Sequence, residues 1–96
     1  MKVYISLPIT GMDIRAVKRS SEAAKKKLKK MNHEPVSPID ITPDQKMPYS
    51  YYMGVDIMAL LECEAVIFLR GWQNSKGCML EFQAAVIYGK EILFEL

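Results

Sequence analysis

The sequence has 96 residues, 50% of them hydrophobic and 25% charged, which excludes an intrinsically disordered chain and predicts one globular domain over residues 1–96. Thirteen Lys and Arg against eleven Asp and Glu give a net charge of +2, too small for a nucleic-acid-binding protein that relies on overall charge. No apolar run approaches the ~18 residues of a membrane span, and only two cysteines are present, so we expect a cytoplasmic protein without disulfides.

Short apolar runs predict four β-strands, and helical patterns between them predict three helices. The predicted strands are Val3 to Leu7, Pro35 to Pro38, Ala65 to Leu69 and Glu91 to Phe94, and the prolines confine the second strand to a sheet edge. The predicted helices cover residues 13–31 with Asp13 as N-cap, residues 50–62 with Ser50 as N-cap, and residues 77–88 followed by Gly89. This alternation predicts a three-layer, Rossmann-like α/β fold with a parallel sheet in the strand order 2-1-3-4.

This topology predicts where a ligand would bind. In such sheets, ligands lie outside the carboxyl ends of the strands, at the switch point between the first and third strands. The two loops at that point contain Pro8, Thr10, Gly11, Gly71, Trp72, Ser75 and Gly77. The second loop leads into a helix N-terminus, which attracts anions, so the Ser75 hydroxyl is a reasonable phosphate ligand. Turn formation alone would also explain the glycines.

Two acidic residues stand in otherwise apolar helical segments. Glu81 lies about one turn into the third predicted helix, beside the small residues Ala84 and Ala85, and would face the switch point. Asp56 is the single acid in the apolar run from Tyr51 to Leu61 of the second predicted helix. A carboxylate that is partly buried without a cation is costly and often has a chemical role. The alternative is that each acid faces solvent on an amphipathic helix.

The remaining candidate residues point to ordinary structural roles. His33 is the only histidine and follows the first predicted helix, so a surface role is favoured, and no residue spacing predicts a metal site. The lysines between positions 25 and 30 resemble a nucleic-acid patch but are better explained as the solvated face of a helix. Trp72 could stack on a planar ligand or cover the end of the sheet.

The chain resembles the nucleoside 2-deoxyribosyltransferase-like superfamily over nearly its whole length, and least over residues 32–47. Three segments carry the resemblance: the opening strand and loop from Val3 through Ser6 and Pro8 to Gly11, a central segment from Asp56 to Leu69, and a signature helix region. That region includes Gly71, Trp72, Ser75, Lys76, Gly77, Glu81, Ala84, Ala85, Gly89 and Lys90.

This resemblance implies roles for three residues. A Glu at the position of Glu81 is the nucleophile that attacks C1′ of a 2-deoxyribosyl group. A Tyr at the position of Tyr4 binds that carboxylate, and an Asp at the position of Asp56 positions the sugar and handles protons. The chemistry suits the residues, because cleavage of an N-glycosidic bond builds positive charge on the sugar that a carboxylate can trap. No cofactor is implied.

The resemblance also implies a preference at the 5′ end of the substrate. Members that use unphosphorylated nucleosides tend to have an acid at the position of Ser75, whereas members that use 5′-monophosphates tend to have Ser followed by Gly two residues later, as Ser75 and Gly77 do. The sequence departs from the superfamily at Leu7, where many members have Gly. Characterised members take part of their site from a later segment of a neighbouring subunit, and this sequence ends at Leu96, before such a segment.

Three functions remain open from the sequence. The first is hydrolysis of 2′-deoxynucleoside 5′-monophosphates at the base–sugar bond, with deoxyribosyl transfer as its variant. The second is a non-catalytic module that binds a nucleotide or nucleotide sugar in the same crevice. The third is a small interaction protein whose Lys-rich helix binds an acidic partner. We expect a small-molecule nucleotide or nucleoside as partner, no nucleic-acid polymer, no membrane, and a homodimer or higher homo-oligomer.

Overall fold

A computed structural model describes residues 1–42 and 46–95 of the chain. Within these residues, four parallel strands form one sheet in the order β2-β1-β3-β4. The strands are β1 (Lys2–Ser6), β2 (Glu34–Val36), β3 (Ala65–Phe68) and β4 (Glu91–Phe94). The predicted fold class and strand order are therefore confirmed.

The helices agree with the prediction except for one additional short helix. They are α1 (Ile14–Lys30), α2 (Pro38–Ile41), α3 (Tyr49–Leu61) and α4 (Lys76–Ile87), with a 3₁₀ turn at Trp72–Asn74. The sequence did not predict α2, because Pro38 reads as the end of a strand although proline is also favoured in a first helical turn. The predicted N-cap Ser50 is wrong: Pro48 occupies that position, and Ser50 lies inside the first turn of α3.

The two faces of the sheet carry different layers because side chains alternate along a strand. Val3 and Ile5 of β1 point to the face covered by α1, where they pack with Val17 and Leu28. Tyr4 points to the opposite face, in a cluster with residues of α3 and α4 such as Leu60 and Ala85. This arrangement places α3 and α4 together over the face that carries Tyr4, and so it positions the candidate site.

Helix α1 has the solvated basic face that its lysines predict. Its N-cap Asp13 accepts a hydrogen bond from the backbone N–H of Arg15 at 3.0 Å. Lys25 forms ion pairs with Glu22 at 3.0 Å and Asp40 at 2.8 Å, and the neighbouring lysines of α1 are exposed. Among the described residues, no helix combines the length and the apolar character needed to cross a membrane.

Candidate active site

Glu81 is held by two hydroxyl groups from β1. Its Oε2 accepts a hydrogen bond of 2.7 Å from the Tyr4 hydroxyl, and its Oε1 accepts one of 2.6 Å from the Ser6 hydroxyl. Tyr4 and Ser6 are two residues apart on a strand, so their side chains reach the same face of the sheet. Glu81 lies on the inner face of α4 and is only 5% exposed. The carboxylate is therefore fixed at both oxygens between the sheet and the helix.

Asp56 lies on the inner face of α3, close enough to Glu81 for the two charges to interact. It is 8% exposed, and its Oδ1 is buried without a hydrogen-bond partner among the described residues. A buried carboxylate oxygen without a donor loses solvation and gains nothing in return. Asp56 is thus available to a ligand that brings a donor into the cavity.

Burial changes the acidity of both carboxyl groups. It raises the pKa of Glu81 to about 7, although the hydrogen bonds from Ser6 and Tyr4 favour the ionised form. It also raises the pKa of Asp56 to about 6. Burial, together with the adjacent Glu81, holds the pKa of Tyr4 well above its usual value, so its hydroxyl remains a donor. Both carboxyl groups therefore titrate near neutral pH.

These two acids open into a cavity of about 530 Å³ between the first loop, α2, α3 and the start of α4. Its volume lies within the range of pockets that hold small organic molecules. Much of the lining is apolar or aromatic, and α4 with its N-cap contributes a hydroxyl, a thiol and a carboxyl group through Ser75, Cys78 and Glu81. The described lining residues are Tyr4, Leu7, Ile9, Thr10, Gly11, Met12, Ile14, Pro38, Ile39, Thr42, Met47, Tyr49, Tyr52, Met53, Asp56, Ser75, Gly77, Cys78 and Glu81.

The start of α4 forms the polar end of this cavity. Ser75 is the N-cap, and its Oγ accepts a hydrogen bond of 3.2 Å from the backbone N–H of Cys78. This bond uses an oxygen lone pair, so Ser75 keeps a hydroxyl proton to donate, and the Cys78 thiol lies within its hydrogen-bonding reach. A Cβ at Gly77 would lie 3.3 Å from both Met53 Sδ and the Tyr49 hydroxyl, so the glycine lets α3 approach α4 closely.

The structure brings together most of the residues that the sequence singled out. Tyr4, Asp56 and Glu81 share the cavity with Thr10, Gly11, Ser75 and Gly77. Ser6 is not part of the cavity wall but lies behind Glu81, to which it donates a hydrogen bond. Leu7, the departure from the superfamily pattern, is a buried residue of the lining.

Besides Ser6, three more of the predicted substrate-binding residues do not line the cavity: Pro8, Gly71 and Trp72. Gly71 has a positive φ of 90°, and a Cβ there would lie 3.6 Å from the ring of Pro8. Trp72 stacks on Phe82 with ring centroids 4.9 Å apart and also packs on Phe68. This packing agrees with the interpretation that Trp72 covers the end of the sheet rather than stacking on a ligand.

Several lining residues were not predicted from the sequence. Met12, Met47 and Met53 lie on three different segments, and Ile39 comes from the unpredicted helix α2. Only the unusual number of methionines, seven in 96 residues, could have pointed to an adaptable apolar surface. In the described part of the chain, no group of three or more His, Cys, Asp or Glu side chains could hold a metal ion.

Three solved structures with a similar fold are two deoxyribosyltransferases and a CMP N-glycosidase. A 2-deoxyribosyltransferase from Bacillus psychrosaccharolyticus matches with a TM-score of 0.75 and 16% identity, over 98% of this chain and 71% of that one. The CMP N-glycosidase BcmB of Clostridium botulinum matches with a TM-score of 0.68 and 19% identity, over 98% and 70%. A 2-deoxyribosyltransferase from Leishmania mexicana matches with a TM-score of 0.72 and 18% identity, over 97% and 62%.

The protein thus shares its fold with these three enzymes, as the sequence resemblance predicted. At these identities, the similarity establishes the fold and leaves substrate and residue roles to be argued from the site. Residues 1–94 match the family model DUF4406, a domain of unknown function, and the chain belongs to that family. No curated protein matches the sequence.

Proposed function

We propose that this protein is an N-glycosidase that hydrolyses the base–sugar bond of 2′-deoxynucleoside 5′-monophosphates. The observation that carries this proposal is that one cavity holds two buried carboxyl groups that differ in their hydrogen-bond partners. Glu81 receives two hydroxyl donors, whereas Asp56 has an oxygen without a partner among the described residues. Pairs of carboxyl groups in different environments divide the work of glycosidic cleavage between a nucleophile and an acid.

Glu81 is the proposed nucleophile. Its ionised carboxylate forms a bond to C1′ of the sugar while the C1′–N bond breaks and its electron pair leaves with the base. The hydrogen bonds from Tyr4 and Ser6 fix the orientation of the carboxylate and stabilise its charge before the attack. Water then attacks C1′ of the glycosyl–enzyme ester, which restores the carboxylate and releases the deoxyribose 5-phosphate.

Asp56 is the proposed proton carrier. In its protonated form, it can give its proton to the departing base, and as a carboxylate it can then accept a proton from the attacking water. Its pKa of about 6 allows both states near neutral pH. Both pKa values are raised toward neutral pH, so the pair shares one proton there, and the reactive arrangement is the one with that proton on Asp56.

The polar end of the cavity is the proposed site of the 5′-phosphate. The hydroxyl of Ser75, the first N–H groups of α4 and the positive end of the helix dipole all favour an anion there. The described lining residues include no Lys or Arg, so these groups must outweigh the repulsion from Asp56 and Glu81. Preference for the monophosphate over the nucleoside should therefore depend strongly on Ser75.

The apolar part of the cavity is the proposed site of the base. Thioethers and rings such as Met12, Met53 and Tyr52 offer contact surface for a planar ring system. Transfer of the deoxyribosyl group to a second base remains the alternative, since it would use the same glycosyl–enzyme ester. The two cysteines are free and buried, which suits the reducing cytoplasm that we propose as its compartment.

The test is release of free base from a panel of 2′-deoxynucleoside 5′-monophosphates, with and without a second free base. Glu81→Gln keeps the size of the side chain and removes its charge, so we expect base release to fall by two to four orders of magnitude. Glu91→Gln, on the exposed start of β4, is the matched control and should retain activity. Binding of the nucleotides without any base release would instead support a non-catalytic module.

A further inference from the structure

The Tyr49 hydroxyl lies at the polar end of the cavity, beside the start of α4. Tyr49 is the first residue of α3, and its side chain lines the cavity. Its hydroxyl oxygen lies 3.3 Å from the point that a Cβ at Gly77 would occupy. Within residues 1–42 and 46–95, the hydroxyl makes no hydrogen bond. The proposed reaction assigns no role to this group.

Two backbone N–H groups at the start of α4 are also without a partner in the described part of the chain. The first four N–H groups of a helix have no acceptor inside the helix. In α4, the N–H of Ser75 binds the carbonyl of Trp72 at 3.1 Å, and the N–H of Cys78 binds the Ser75 Oγ at 3.2 Å. The N–H groups of Lys76 and Gly77 remain as donors for a ligand.

The Tyr49 hydroxyl and the N–H of Gly77 face the same region of the cavity. In a helix, the Cα–Cβ bond tilts toward the N-terminus, which is also the direction in which the first N–H groups point. A hydroxyl 3.3 Å from the Cβ position of Gly77 therefore lies on the side that these N–H groups face. Ser75, the N-cap, has its hydroxyl at the same end of the helix. Donors from two helices thus converge on one end of the cavity.

We propose that Tyr49 is a phosphate-binding residue, whose hydroxyl donates a hydrogen bond to the 5′-phosphate and makes the site select 5′-monophosphates over nucleosides. This role rests on the proposed function, which puts the phosphate at the start of α4. That the cavity binds a ligand is supported independently by Asp56, which is 8% exposed and has an Oδ1 without a partner among the described residues.

The charges of the cavity favour a neutral donor at this position. Its described lining holds two buried carboxyl groups, Asp56 and Glu81, and no Lys or Arg. A cationic side chain there would attract the Glu81 carboxylate as well as the phosphate, whereas a hydroxyl adds no net charge. Hydrogen bonds to an ionised group are roughly twice as strong as those between neutral groups, so a hydroxyl can still select a phosphate. Tyr49 thus binds the anion without pairing with the nucleophile.

Gly77 sets the distance between the Tyr49 hydroxyl and α4. A Cβ at Gly77 would lie 3.3 Å from this hydroxyl and 3.3 Å from Met53 Sδ, which is tighter than an ordinary contact, so one of the two side chains would have to move. Gly54, in the middle of α3, differs from it: a Cβ there meets no atom within 4 Å. Alanine at position 77 should therefore disturb the donors, and alanine at position 54 should not.

The first test compares kcat/KM for a 2′-deoxynucleoside 5′-monophosphate with kcat/KM for the same nucleoside. Tyr49→Phe keeps the ring and removes the hydroxyl, so we expect the monophosphate-to-nucleoside ratio to fall about tenfold or more, as for a lost hydrogen bond to a charged group. Tyr51→Phe is the matched control, because Tyr51 is also exposed on α3 but does not line the cavity. Gly77→Ala should lower the ratio as well, whereas Gly54→Ala should retain it.

Calorimetric titration with 2-deoxyribose 5-phosphate measures the same interaction without turnover. We expect Tyr49→Phe to weaken binding about tenfold and Tyr51→Phe to leave it unchanged, with circular dichroism to confirm that both variants are folded. Equal affinities of the two variants, or no binding of this probe by the wild type, would overturn the proposal.

The two measurements separate the role of Tyr49 from the proposed reaction. Base release by the wild type together with an unchanged ratio in Tyr49→Phe would overturn the role of Tyr49 and leave the hydrolysis standing. Weaker binding of the phosphate probe by Tyr49→Phe, without base release by the wild type, would support the role of Tyr49 and overturn the hydrolysis.

Discussion

Removal of the Ser6 hydroxyl tests how the site controls the charge of Glu81. The hydroxyl donates a 2.6 Å hydrogen bond to Oε1, and the Tyr4 hydroxyl donates the other bond to Oε2. A hydrogen bond to a charged group contributes about 1.5–3 kcal/mol, and 1.36 kcal/mol corresponds to one pKa unit. In Ser6→Ala, we therefore expect the pKa of Glu81 to rise from about 7 by roughly one to two units.

This shift acts on a coupled pair of carboxyl groups. The reactive form has Glu81 ionised and Asp56 protonated, so kcat/KM should follow a bell with limbs near pH 6 and pH 7. When the pKa of Glu81 rises by one unit, the share of singly protonated molecules that carry the proton on Asp56, the reactive form, falls about tenfold. The maximum of kcat/KM should drop about tenfold, while the alkaline limb moves to about pH 8 and the acid limb stays near pH 6.

The assay is base release from a 2′-deoxynucleoside 5′-monophosphate, measured as kcat/KM between pH 4 and pH 10. Tyr4 keeps its proton over this range because burial and Glu81 raise its pKa well above the usual value. Ser20→Ala on the exposed face of α1 is the matched control and should reproduce the wild-type profile. A lower maximum with unmoved limbs would show that Ser6 only supports the fold, and an unchanged profile would refute the assigned role.

Two further predictions concern the other polar residues of the site. Burial raises the pKa of Asp56 from 3.8 to about 6, so its contribution to stability is complete below pH ~4 and is lost as the pH rises through 6. Asp56→Asn should therefore stabilise the protein more at pH 8 than at pH 4, by a difference of roughly 2–3 kcal/mol in the free energy of unfolding. Urea unfolding measures this difference, and an equal effect of the substitution at pH 4 and pH 8 would contradict the prediction. Ser75→Asp keeps a good N-cap but places a negative charge at the start of α4, so the ratio of kcat/KM for monophosphate over nucleoside should fall. An unchanged ratio would place the phosphate elsewhere.

Much of the fold could be predicted because its strands are short apolar runs. β3 was predicted to within a residue, since a strand covered by helices on both faces needs an uninterrupted apolar run. β4 has the predicted range Glu91 to Phe94, although it is an edge strand with exposed ends. The edge strand β2 runs from Glu34 to Val36 rather than from Pro35 to Pro38, because Pro38 instead opens α2. A four-residue helix has too few positions to show a helical period.

The site was predictable in its acids and less so in its surroundings. Glu81 and Asp56 stand out in the sequence because each interrupts an apolar helical pattern. The partnership of Ser6 with Glu81 joins residues 75 positions apart, and local patterns carry no information about such a pair. Trp72 was open to two interpretations because its partners Phe68 and Phe82 come together only in the folded chain.

The covalent role of Glu81 is the central claim, and mass spectrometry of the protein quenched during turnover tests it most directly. A 2′-deoxynucleoside 5′-monophosphate should add the mass of a deoxyribose phosphate, less water, to the peptide that contains Glu81, and base should appear in step with this adduct. The Glu81→Gln variant should show neither. Base release by the wild-type protein together with similar release by Glu81→Gln, and no adduct in either, would contradict the account.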